Sequence, residues 1–144
     1  MRTMILTLIA LGAMMVPGAA QIVKPAAGSS EILWVLTLEV QPNQYDQLQQ
    51  LVSQIVAAAE KEPGTLEYDW NISADHTTLT VVERYADSQA LLQHGKDFGQ
   101  FAKRFFALAK PTSLVVFGAP DAAAKQAIAG LNPVYMTTFD GFSR

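Results

Sequence analysis

Three kinds of residue in this chain could carry chemistry: a histidine on an apolar helical stripe, a glutamate inside an apolar strand, and aromatics at strand spacing. His94 stands three residues after Leu91 and four before Phe98. On a helix it therefore shares their inward-facing stripe. An imidazole in a partly dry pocket can accept a proton near neutral pH. The same placement also suits a core histidine satisfied by a backbone carbonyl or by Glu83. Glu83 alternates with Leu79, Val81 and Tyr85, where a carboxylate is costly unless paired. It can orient His94, act as a base itself, or pair structurally with Arg84 or Arg104. Strand parity leaves open which sheet face it occupies.

The aromatic residues have two readings as well. Trp34, Tyr68, Trp70 and Tyr85 can line a pocket for a flat substrate, with phenol and indole groups as hydrogen-bond donors. They also suit a core or a dimer interface. Phe98, Phe101 and Phe105 read first as core, with Phe98 and Phe101 kept as substrate-binding candidates. Gly95 and Gly99 are expected to break or loosen their helix and so to open a pocket mouth. His76 follows Asp75 in a turn and reads as exposed.

Much chemistry is excluded. The chain has no cysteine, so thiolate catalysis, zinc–thiolate and iron–sulfur sites and disulfides are out. It carries no G-x-G-x-x-G, Walker loop or G-x-S-x-G elbow. Two isolated histidines do not make a metal site without carboxylates brought in by folding. No cofactor and no metal ligand set is expected. A net charge of -3 argues against nucleic acid as a partner.

The elements that must position these residues follow from periodicity. Ile32–Val40 is apolar on both faces and reads as a strand, with Trp34, Leu36 and Leu38 on one side and Leu33 and Val35 on the other. Asn43 can cap a helix whose apolar positions run from Leu48 to Ala59, ended by Pro63-Gly64. Leu66, Tyr68, Trp70 and Ile72 alternate with polar residues in a second strand, and residues 77–85 form a third. Asp87 or Ser88 caps a second helix, which Pro111 stops. Leu114–Phe117 gives a fourth strand, residues 121–129 a short alanine-rich helix, and residues 134–139 a last strand. The order β-α-β-β-α-β predicts an α+β, ferredoxin-like split-βαβ antiparallel sheet with helices on one face. Its uncovered apolar face calls for a partner, and a homodimer is the expected one.

The N-terminal segment has a different purpose. Arg2 precedes an apolar run from Met4 to Val16, followed by Pro17-Gly18-Ala19-Ala20. This is the pattern of a secretory signal peptide. Its apolar run, roughly 20 Å long as a helix, falls short of a bilayer's roughly 30 Å core. Residues 1–20 are expected to be removed, 21–30 to be a linker, 31–118 to form the domain and 119–144 a C-terminal extension. The mature protein would be periplasmic or secreted and free of the membrane.

The motif Glu62-Pro63-Gly64-Thr65-Leu66-Glu67-Tyr68, then Glu83-Arg84-Tyr85, then His94 with Phe98 and Phe101, resembles the antibiotic biosynthesis monooxygenase (ABM) domain family. The resemblance spans about residues 32–118. It implies a dimeric α+β barrel in which two sheets pack face to face. It also implies a cofactor-independent monooxygenase, quinol-monooxygenase-like, with His94 and Glu83 as catalytic candidates. The chain departs from many members at Asp97-Phe98, where they carry a second histidine. It lacks the helix tryptophan of the haem-degrading branch. The expected function is oxidation of a small electron-rich aromatic, a quinol or polyphenol, by dioxygen. The alternative is a non-catalytic exported dimer that binds a small hydrophobic molecule.

Overall fold

The computed structural model describes residues 29–142. The expected signal segment and nearly all of the linker lie outside the described residues. The order is β1 (Ile32–Val40), α1 (Tyr45–Ala59), β2 (Thr65–Ile72), β3 (Thr78–Tyr85), α2 (Ser88–Leu108), β4 (Ala109–Phe117), α3 (Ala122–Ile128), a 3₁₀ turn (Ala129–Leu131) and β5 (Val134–Met136). The strands lie in the order β2-β3-β1-β4-β5. The first four pair antiparallel, as the ferredoxin-like pattern requires, while β5 joins β4 in parallel and makes the sheet mixed. The helices cover one face, and the sheet of a single chain is open. Among the described residues no helix is long and apolar enough to cross a membrane.

Alternation in β1 decides which face meets the helices. Ile32, Trp34, Leu36, Leu38 and Val40 are all buried. They pack with Leu48, Leu51 and Ile55 of α1 and with Leu91, Phe101 and Phe105 of α2. Each such side chain contributes roughly 1.5–3 kcal/mol on burial. Register then settles Glu83. It lies opposite Trp34 on one side and Tyr68 on the other, so its carboxylate faces the helices rather than the uncovered side.

Several boundaries differ from the sequence-based expectation. Asn43 does not cap α1. It adopts φ 60, and Gln44 takes the N-cap position with no side-chain bond. Asp87 caps α2 by accepting from the Ala90 backbone N–H. Gly95 and Gly99 do not break α2, which runs through both. Pro111 does not stop that helix. The chain turns at Ala109 straight into β4, and Pro111 sits within the strand beside Leu38 at a bulge. It is tolerated there because β5 reaches only Val115–Phe117, leaving that stretch of β4 an edge. Leu66 falls at the β2 bulge and is exposed, so it leaves the aromatic face.

Two close approaches lock the frame. A Cβ on Gly64 would stand 2.5 Å from the Ala90 Cβ, so the turn before β2 presses directly on the start of α2. Gly118 leaves β4 at φ +100 with the Glu31 carbonyl where a Cβ would go, a position that favours glycine twice over.

Candidate active site

The site begins in the turn after α1. The Glu62 backbone N–H donates to the Ala59 carbonyl at 2.9 Å. Its carboxylate accepts from Thr65 Oγ1 at 2.6 Å, and Oε2 lies 2.8 Å from His94 Nδ1. The other imidazole nitrogen, Nε2, is 3.4 Å from Glu83 Oε2. Tyr85 Oη donates to that same Glu83 oxygen. His94 is therefore held between two carboxylates from different parts of the chain. At 4% and 3% exposure, His94 and Glu83 are the two buried polar side chains among the described residues.

Burial sets the electrostatics. Removing the Glu83 carboxylate from water pushes its pKa up, while His94 and the Tyr85 hydroxyl pull it back down. The Trp34 N–H also favours the ionised form, although its nitrogen makes no bond of good geometry. Burial first, and then the negative field of Glu83, raises both Tyr68 and Tyr85, so both stay phenols at neutral pH. With Nδ1 facing Glu62, His94 presents Nε2 to the Glu83 carboxylate. That is the arrangement of an acid–base pair with its base oriented from behind.

Beside this pair lies a cavity of about 240 Å³. Its floor is the sheet, with Trp34, Leu36, Tyr68, Trp70 and Val81. Its polar end is Glu83 and His94. One wall comes from α2, with Gly95, Phe98, Phe105 and Phe106. The last comes from the C-terminal extension, with Ala127, Ile128 and Leu131. Edge-to-face pairs fix the aromatic floor. Tyr68 meets Trp70 at 5.3 Å and His94 at 5.1 Å, and Trp70 meets Phe105 at 5.5 Å.

The structure thus brings together His94, Glu83, Trp34, Tyr68, Trp70 and Phe98. Two expected pocket residues lie elsewhere than on the cavity wall. Tyr85 is fully buried, bonded to Glu83 and outside the cavity wall, and Phe101 packs in the core. Phe105, read as core, also lines the cavity. The indole nitrogens of Trp34 and Trp70 are sealed from solvent and lack a hydrogen-bond partner. Neither arginine reaches Glu83. Arg84 pairs with Glu31 and Glu67 at 3.1 Å each, and Arg104 lies over the Phe101 ring. His76 is exposed and stacks on Tyr45. Among the described residues no group of three or more His, Asp or Glu side chains is placed to hold a metal ion.

Sequence reasoning missed Glu62 as a site residue, although it opens the motif that carries the family resemblance. A buried imidazole needs a partner for each nitrogen, and that demand was the available signal. The wall from residues 127–131 had no such signal, because an alanine-rich helix looks alike wherever it docks.

Fold and site together define a ferredoxin-like α+β domain with a histidine–carboxylate pocket under its helices. The antibiotic biosynthesis monooxygenase family model matches residues 32–111, and the chain belongs to that family. No curated protein matches the chain. Among solved structures it is similar to MupZ from Pseudomonas fluorescens, with 21% identity, TM-score 0.72, and coverage of 81% of this chain and 96% of that one. It is also similar to Rv0793 from Mycobacterium tuberculosis, with 24% identity, TM-score 0.56 and coverage of 65% and 99%. SnoaB from Streptomyces nogalater, a cofactor-independent oxygenase, aligns at 15% identity and TM-score 0.56, covering 65% and 97%.

Proposed function

We propose that the protein is a cofactor-independent monooxygenase of small electron-rich aromatics such as quinols, working as an exported homodimer. The observation that carries this reading is the His94–Glu83 pair at the polar end of an otherwise apolar, aromatic cavity. Family membership and the oxygenase description of SnoaB support it.

The chemistry asked of the protein is modest. A substrate hydroxyl placed at the polar end gives its proton to His94 Nε2 or Glu83 Oε2. Glu62 holds the imidazole from behind, so proton transfer needs no reorientation of the ring. The electron-rich anion then reduces dioxygen directly. One oxygen atom stays on the substrate and the other leaves as water with two substrate hydrogens, so the substrate supplies all four electrons. The apolar walls keep water from the reactive anion.

The test is oxygen consumption by purified protein with one- and two-ring quinols, corrected for autoxidation. Wild type is expected to exceed the background, and His94→Ala to lose at least about a hundredfold of that excess. Product formed without oxygen uptake would instead favour acid–base isomerisation, a reading that the facing His94 and Glu83 side chains also suit. Binding with no turnover across the panel would leave the hydrophobic binding module. Export rests on the N-terminal pattern of residues 1–20, and N-terminal sequencing of secreted material that begins at Gln21 is the expected result. Material that retains Met1 would count against it.

A further inference from the structure

The family match ends at residue 111, yet the cavity does not. One of its walls is made by Ile128, Leu131 and Ala127 from α3 and the turn after it. That wall is firmly anchored. Asp121 caps α3 by accepting from the Ala124 N–H at 2.8 Å, and its own N–H donates to Ser88 Oγ at the start of α2. Ala124 and Ile128 are buried against the core. Among the structural neighbours, MupZ aligns over 81% of the chain, whereas Rv0793 and SnoaB align over 65%.

We infer that Ile128 and Leu131 are specificity-determining residues that limit the ligand to one or two fused rings. The inference rests on the cavity being the substrate site. It follows from volume and placement. An apolar cavity of about 150 Å³ holds benzene, so 240 Å³ has room for about one more ring. The hydroxyl is drawn to Glu83 and His94, and so the ring system extends away from them. The sheet floor and α2 belong to the common domain. The extension lies beyond the family match, and with Ile128 and Leu131 it adds a wall that the common domain does not supply.

The test is calorimetric titration with phenol, 2-naphthol and 2-anthrol, which share one hydroxyl and differ in ring number. Wild type is expected to bind 2-naphthol at least about tenfold more tightly than 2-anthrol. Leu131 is half-buried, unlike Ile128, so it can be changed with less disturbance to the core. Leu131→Ala is expected to bring 2-anthrol to within about threefold of 2-naphthol. Leu131→Phe is expected to weaken 2-naphthol about tenfold while phenol binding holds. An unchanged 2-naphthol to 2-anthrol ratio in both variants would overturn the wall assignment alone. Failure of wild type to bind any of the three phenols would overturn the pocket reading, and the proposal with it. None of these readouts depends on oxygen uptake.

Discussion

At the residue scale the site turns on one imidazole between two carboxylates. Glu62 contacts Nδ1 at 2.8 Å and Glu83 faces Nε2 at 3.4 Å, so the two glutamates have different tasks. Glu62 is a positioning residue. Glu62→Gln keeps the shape but cannot hold imidazole charge, and it is expected to lower kcat about tenfold or more with little change in KM. A KM effect alone would assign Glu62 to binding. Glu83 carries the pH dependence. Its pKa is raised in the folded state, so the folded chain pays a penalty for ionising it. That penalty is absent below the ordinary carboxylate pKa, grows as pH rises toward the folded value, and is constant above it. The groups facing it are His94, Tyr85, Tyr68 and Glu62. The Tm of Glu83→Gln minus that of wild type is therefore expected to increase as pH rises above the ordinary carboxylate range. A flat difference would mean that His94 and Tyr85 fully offset the burial.

At the element scale, α2 and the turn before β2 hold the pocket together. Gly64 lets that turn approach α2, since a Cβ there would meet Ala90 at 2.5 Å. Gly64→Ala is expected to cost about 1–3 kcal/mol. Adding Ala90→Gly should recover part of the loss beyond its own cost, a coupling that a double-mutant cycle measures. Gly99 behaves oppositely. It lies inside α2, where an added Cβ meets nothing within 4 Å. Gly99→Ala is expected to stabilise the chain by about 0.5–1 kcal/mol by restricting the unfolded backbone. A fall in Tm would show that the helix uses that glycine. Existence and type of the strands and helices of the core were legible in the sequence, because alternation and helical spacing each mark one buried face. Ends were less so. Pro111 reads as a helix stop, yet the edge position of that part of β4 accommodates it.

At the scale of the whole molecule, the uncovered face of the sheet carries a compact apolar row. Val35 is aligned with Val82 on one side and Val115 on the other, and Leu33 with Phe117 lies beside them; Leu33 and Val82 are already buried within the chain, and Val35, Val115 and Phe117 stay half-buried. Thr80, Thr37 and Ser113 form the next row and are polar. We expect two chains to meet across the apolar row, which is also the packing implied by the family resemblance. Sedimentation velocity is expected to give a dimer for wild type and a monomer for Val35→Asp, since a lone carboxylate at the centre of such an interface has no partner. A folded Val35→Asp protein that still sediments as a dimer would move the interface elsewhere.

The sequence by itself determined the elements of the core, the inward placement of His94, and the alternation that groups Glu83 with Val81 and Tyr85. These are local properties, set by periods of 3.6 and 2 along the chain. Tertiary structure decided the rest. Strand parity has no sign, so only the register with Trp34 and Tyr68 put Glu83 under the helices. Glu62 lies 32 positions from His94, and nothing local says that the turn after α1 ends at the imidazole. Tyr85 went to the core and Phe105 to the cavity because depth along an inward face depends on what packs above it. The extension became a wall for the same reason: the docking of a short helix is chosen by the surface it finds, not by its own alanines.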